Sequence, residues 1–181
     1  MKAVVLGCFL LVLATDTVAH RLDEYLQATR VSVATNRIDV SIDLTPGVAV
    51  ADQVLAVIDQ DHDGRFSKKE RATYAQSVLK DIQVGLPEAV LSLRVVDTSF
   101  PTLREIKDGL GVIRIKATAS CGQLLAGRHT LSLTNSHMPK ISVYLVNALV
   151  PKDRAIQITR QTRDELQKDY HLEFEVSSST P

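Results

Sequence analysis

Apolar and polar residues alternate along most of this chain with a period of two. Ile38, Val40, Ile42 and Leu44 take every second position, and residues 25–35 carry Leu26, Val31 and Val33 among polar neighbours. Successive side chains of a strand leave on opposite faces, so this pattern predicts strands with one face buried. Thr35-Asn36-Arg37 is the expected turn between them. The same criterion predicts strands over 82–86, 89–96, 110–119, 129–134, 141–146, 155–159 and 170–176. Turn residues punctuate them, as at Gly85-Leu86-Pro87, Lys107-Asp108-Gly109 and Ala126-Gly127. Around nine short strands at such spacing predict a mostly β chain, a β-sandwich of immunoglobulin-like architecture. Residues 141–150 form the most apolar run of this region, which reads first as a central buried strand and second as an interaction surface. Residues 161–168 are polar and charged, the pattern of a solvated linker or short helix.

One segment breaks the alternation. After Thr45-Pro46-Gly47 the period lengthens to about 3.6, with Val50, Val54, Val57 and Ile58 on one face and Asp52 and Gln53 turned away. Farther on, Tyr74, Ala75, Val78, Leu79 and Ile82 recur at helical offsets, although Ile82 alternatively begins the next strand. A helix–loop–helix insertion at about 48–80 inside a sandwich makes the chain α+β overall.

The loop between the two helical stretches reads Asp59-Gln60-Asp61-His62-Asp63-Gly64-Arg65-Phe66-Ser67-Lys68-Lys69-Glu70. It resembles the EF-hand family, meeting every specified position of the calcium-loop pattern D-x-[DN]-x-[DN]-G-x₅-E. The resemblance implies a Ca²⁺ site with ligands from Asp59, Asp61 and Asp63 at loop positions 1, 3 and 5. Arg65 would contribute its main-chain carbonyl at position 7, and Glu70 two oxygens at position 12. Ser67 at position 9 would act through a water. Carboxylates and carbonyls suit calcium, a hard cation that takes six to eight oxygens. Gly64 supplies the sharp turn. EF-hands usually pair through position 8, here Phe66. With no second acidic loop in the sequence, Phe66 is expected either to rest against the sandwich or to meet another chain.

The N-terminus reads as a signal peptide over residues 1–19. Lys2 stands before an apolar stretch at 3–13, and Thr17-Val18-Ala19 ends in a small residue where cleavage would fall. About 11 apolar residues are too few to span a bilayer, which takes roughly 20. The expected product is therefore a secreted or periplasmic single domain over 20–176, with a disordered tail at 177–181 and no transmembrane segment in the mature chain. Cleavage would remove Cys8 and leave Cys121 alone, so no intramolecular disulfide is expected. It would also expose His20, whose amine and ring could chelate copper beside His62, His129, His137 or His171. Their spacings form no tight pair, and surface histidines are the simpler reading. Lys plus Arg equals Asp plus Glu at 21 each, and aromatics make up 4% with no Trp. Neither a basic field nor a base-stacking surface is present, which argues against nucleic acid as a partner.

No G-x-S-x-G, H-E-x-x-H or phosphate-cradling glycine loop occurs, so no enzyme is expected. The expectation is a non-enzymatic calcium-binding module; the alternative is a cell-envelope protein–protein interaction domain in which the ion is purely structural. A second, looser resemblance rests on His20-Arg21-Leu22-Asp23-Glu24-Tyr25-Leu26-Gln27 and on Ser142-Val143-Tyr144-Leu145-Val146-Asn147-Ala148-Leu149-Val150-Pro151. These stretches look like the soluble region that precedes the membrane segments of some bacterial nickel/cobalt-permease-like proteins.

Four carboxylates converging in one loop repel one another without a cation, so calcium is expected to order the loop. Hydrogen exchange with and without chelator should show slower exchange around residues 50–80 when calcium is present. Identical exchange in the two conditions would contradict this coupling.

Overall fold

The computed structural model describes residues 23–178. The expected signal peptide at 1–19, its cleavage after Ala19, His20 and the last three residues of the expected tail lie outside the described residues. Ser177, which begins that tail, donates its N–H to the Ala155 carbonyl at 2.8 Å.

The described residues are mostly β, at 47% strand and 19% helix, arranged as a β-sandwich with a small helical insert. Among the described residues ten strands run in chain order: β1 (Tyr25–Val33), β2 (Arg37–Pro46), β3 (Ile82–Leu86), β4 (Ala89–Leu91), β5 (Arg94–Ser99), β6 (Ile113–Ser120), β7 (Gly127–Asn135), β8 (Ser142–Ala148), β9 (Ile156–Arg163) and β10 (Asp169–Val176). The first sheet has the order β5-β6-β2-β1-β8 and the second β4-β3-β7-β10-β9. Among the described residues β1 and β8 pair in parallel, and the other pairings are antiparallel.

The two inner faces share one core. Ile38, Val40, Ile42 and Leu44 of β2 lie in it together with Leu131 and Leu133 of β7 and Tyr170, Leu172 and Phe174 of β10. Period-two patterning is sufficient here because each strand has one face on the core and one in solvent.

The helical insert occupies the crossing from the first sheet to the second, between the end of β2 and the start of β3. A single 3₁₀ turn at Val48–Val50 leads into α1 (Ala51–Ile58), and α2 (Lys68–Lys80) leads out. Ala51, Val54, Leu55 and Ile58 of α1 face the core, as do Tyr74, Ala75, Val78 and Leu79 of α2. Both ends of the insert are thus tied to strands, and its apolar faces close one region of the sandwich core. Ile82 belongs to β3, not to the helix.

Several expectations are corrected. Val57 is 42% exposed while Leu55 is buried, because the buried stripe of α1 runs through positions 51, 54, 55 and 58. The expected strand at 89–96 is two strands, β4 and β5, that belong to different sheets, with the chain crossing between them at Ser92-Leu93. The apolar run at 141–150 is not central. β8 is the edge strand of the first sheet, with Tyr144 and Val146 buried while Val143, Leu145, Leu149 and Val150 are exposed. A two-sided apolar run ordinarily marks a strand covered on both faces; here only the inner face is covered.

Residues 161–163, expected in a solvated linker or short helix, continue β9 and cover part of this edge. Arg163 Nε donates to the Val146 carbonyl at 2.7 Å and its guanidinium to Asn147 Oδ1 at 2.6 Å, while Gln161 Oε1 accepts from the Ala148 N–H. Side chains that occupy an edge strand's free polar groups leave less of it open to another strand.

A further short helix, α3 (Leu103–Lys107), follows β5. Its signal was readable: Thr102 and Glu105 form a capping box, the side chain of each bonding the other's N–H. Gly111 closes this segment. A Cβ there would come within 2.9 Å of Ile106 N and Pro101 Cγ. Among the described residues no helix is long and apolar enough to cross a membrane.

Ile42, fully buried in β2, tests the shared core. Ile42→Ala should lower the unfolding free energy by about 2–5 kcal/mol, measured by urea denaturation. A loss under 1 kcal/mol would contradict the packing described.

Candidate metal centre

α1 ends at Ile58, and the acidic loop begins at once. The Asp59 N–H still bonds the Leu55 carbonyl at 2.8 Å, so the last helical bond sets the direction in which Asp59 leaves. The chain then turns tightly. His62 (φ 59°) and Gly64 (φ 78°) both have left-handed backbone, which glycine adopts freely and histidine only at a cost.

Side-chain bonds to the backbone curl the loop. Asp59 Oδ2 accepts from the Gly64 N–H at 3.0 Å, Asp61 Oδ1 from the Asp63 N–H at 3.3 Å, and Asp63 Oδ1 from the Arg65 N–H at 2.8 Å. The result brings carboxylate oxygens of Asp59, Asp61 and Asp63 within 4.8 Å of one another. Asp61 and Asp63 are exposed, whereas Asp59 is 6% exposed.

Asp59 Oδ1 is buried and accepts no hydrogen bond. Burying a charged oxygen without a partner is expensive. Among the described residues one other buried side-chain oxygen lacks a hydrogen bond, Asp43 Oδ1, and the Arg114 guanidinium lies 3.9 Å from it. The Asp59 carboxylate instead sits beside two further carboxylates. An electrostatic arrangement of this kind suits a cation held by oxygen donors.

Glu70, the fourth acid, holds the ends of the loop together. Its Oε1 accepts from the Gln60 N–H at 2.8 Å, and its Oε2 accepts from the Ser67 N–H at 2.9 Å and the Ser67 hydroxyl at 2.7 Å. Ser67 Oγ in turn accepts from the Glu70 N–H, completing the capping box that starts α2. The Ser67 hydroxyl, then the Ser67 N–H, pull the Glu70 carboxyl below the usual carboxylate range, against a smaller opposing effect of burial. Of the sequence-expected ligands, then, Asp59, Asp61 and Asp63 are brought together, and Glu70 lies against the loop's two ends. Arg65 stands at the turn with its N–H on Asp63 and its side chain exposed.

Phe66 rests against the sandwich, one of the two expected alternatives. Its ring lies 6.1 Å from that of Phe100, just beyond β5, and Phe100 packs edge-on against Tyr74 of α2 at 6.2 Å. Leu103 of α3 borders the shallow depression beside Asp59 and His62, and Lys107 pairs with Asp52 of α1 at 3.5 Å. Phe100 and α3 thus brace the loop from within the same chain.

Sequence patterning missed the buried polar cluster at the other end of α2. His137, grouped above with surface histidines, is 3% exposed and contacts Tyr74 and Asp81. Gln27 and Asn135, both buried, bond each other and hold the backbone of His137. No local motif announces them, since their partners lie far away in sequence. Cys121 is partly buried at a loop, and burial raises its thiol pKa, so the thiol is not an activated one.

No protein-family model matches the chain, and no curated protein matches it significantly.

The Glu70 carboxylate is favoured by the fold, so this contribution is present above its ordinary pKa and disappears as pH falls through its lowered folded value. Ser67→Ala should raise the Glu70 midpoint toward the ordinary value in a carboxyl-carbon NMR titration run in chelator. An unmoved midpoint would contradict the assigned cause.

Proposed function

We propose that residues 48–80 form a single EF-hand that binds one calcium ion in an exported, non-enzymatic module. The observation that carries this reading is the Asp59 carboxylate, which has one oxygen buried without a hydrogen bond and lies with the converging carboxylates of Asp61 and Asp63. The loop sequence and the helices on either side of it support the same reading. Calcium is favoured over zinc or copper because the donors are hard oxygens with no thiol among them. It is favoured over magnesium because three carboxylates, the Arg65 carbonyl and two oxygens of Glu70 would supply six protein donors, whereas magnesium usually keeps several waters. For Glu70 to serve as a ligand, its carboxylate would give up part of its bonding to Ser67 and Gln60. Export is supported by the pattern of residues 1–19.

A second reading makes the ion purely structural in an interaction domain for a cell-envelope partner. Two observations favour it. α2 is pinned to the sandwich at its far end, which opposes a sensor-like swing, and Val143, Leu145, Leu149 and Val150 present apolar surface away from the loop.

Calorimetric titration should give one calcium per chain with a dissociation constant on the order of 10⁻⁴–10⁻³ M, as in extracellular calcium modules. Magnesium should bind more weakly, and Asp59→Ala and Glu70→Ala should each abolish the signal while circular dichroism stays β-rich. Absence of calcium heat in the unmodified chain, with no calcium-dependent rise in melting temperature, would sink the proposal.

A further inference from the structure

The buried cluster at the far end of α2 is a directed chain of hydrogen bonds. Tyr25 of β1 and Tyr74 of α2 join through their hydroxyls; the Tyr74 hydroxyl lies 3.2 Å from His137 Nε2, and His137 Nδ1 lies 2.7 Å from Asp81 Oδ2 at the C-terminal cap of α2. An ionised carboxylate only accepts, so Nδ1 carries the proton and donates to Asp81. Neutral Nε2 then accepts from Tyr74, and Tyr74 accepts from Tyr25. Every hydroxyl proton has a partner in this one direction.

Protonating His137 would reverse the order. Nε2 would become a donor, Tyr74 would have to turn its proton toward Tyr25, and the fully buried Tyr25 hydroxyl would lose the acceptor it uses now. A buried donor without a partner is costly. The groups facing His137 are Tyr25 from β1, Tyr74 and Asp81 from α2 and Tyr144 from β8, whose hydroxyl donates to the His137 carbonyl; Lys140 is exposed beyond the turn. Asp81 favours the charged ring, but burial outweighs it and sets the His137 pKa below its ordinary value.

These bonds tie α2 to the sandwich. The Ser136 N–H and hydroxyl add two more, to the Asp81 carbonyl at 2.9 and 3.0 Å. At its other end the same helix begins with the capping box of Ser67 and Glu70 that closes the acidic loop. We propose that His137 is a proton-operated latch on α2, whose protonation loosens the helix and weakens cation binding at the loop of residues 59–70. This rests on the calcium reading above. Linkage then requires the converse, that calcium make His137 harder to protonate by the same factor.

The sign follows from the lowered pKa. Between the ordinary value near 6.5 and the folded value, the unfolded chain holds more protons, so stability falls as pH drops through that window. The test is an NMR titration of the His137 ring in the whole chain, with saturating calcium and with chelator. The expected result is a midpoint about 0.7 pH units lower with calcium, equivalent to about fivefold coupling. Tyr74→Phe keeps the histidine but cuts the chain, and should remove that difference. Equal midpoints in a chain shown by calorimetry to bind calcium would overturn the latch and leave the calcium reading intact. A chain that takes up no calcium would overturn both.

Discussion

The placement of α2 is the constraint on which the rest of this molecule depends. Its first turn is closed by the reciprocal bonds of Ser67 and Glu70, and Glu70 also reaches back to Gln60 at the start of the loop. Its last turn is bound through Asp81 to His137 and Ser136, and its middle through Tyr74 to Tyr25. A helix of 13 residues fastened to the loop at its first turn and to the sandwich at its middle and far end has little freedom to rotate. The two ends of the acidic loop inherit that placement, because one is the beginning of this helix and the other is the end of α1.

The sandwich supports this by surrounding the insert. β2 delivers the chain to α1, β3 receives it from α2, and Phe100 with α3 presses on the loop from the side. Phe66, the residue through which paired acidic loops would meet, is spent on Phe100 instead. An acidic loop in this setting gains its order from the host domain, which is a physical reason to expect any ion it holds to stabilise before it senses.

Much of the candidate site was legible because its information is local. Asp59, Asp61, Asp63, Gly64 and Glu70 lie within twelve consecutive positions, and the bonds that curl the loop run between neighbours. The Thr102 and Glu105 capping box of α3 is equally local. Glu70 was legible as an acid at position 12 but not as the clasp between Gln60 and Ser67, since that depends on where the loop's first residues fold back. His137 was misplaced for a different reason. Whether a histidine is buried depends on Tyr25, Tyr74 and Asp81, which meet it only after the two sheets and the insert have packed.

Sequence periodicity determined the sandwich class, the strand faces of β2 and β10, the interrupting helices and the acidic loop, because each follows from spacing between near neighbours. Tertiary structure alone decided that residues 89–96 divide between two sheets, that the apolar run of β8 lies at an edge, and that Arg163 covers part of that edge. It alone assembled the polar chain from Tyr25 to Asp81. Period and propensity describe one segment at a time, whereas sheet membership and the burial of polar groups are set by which distant segments come together.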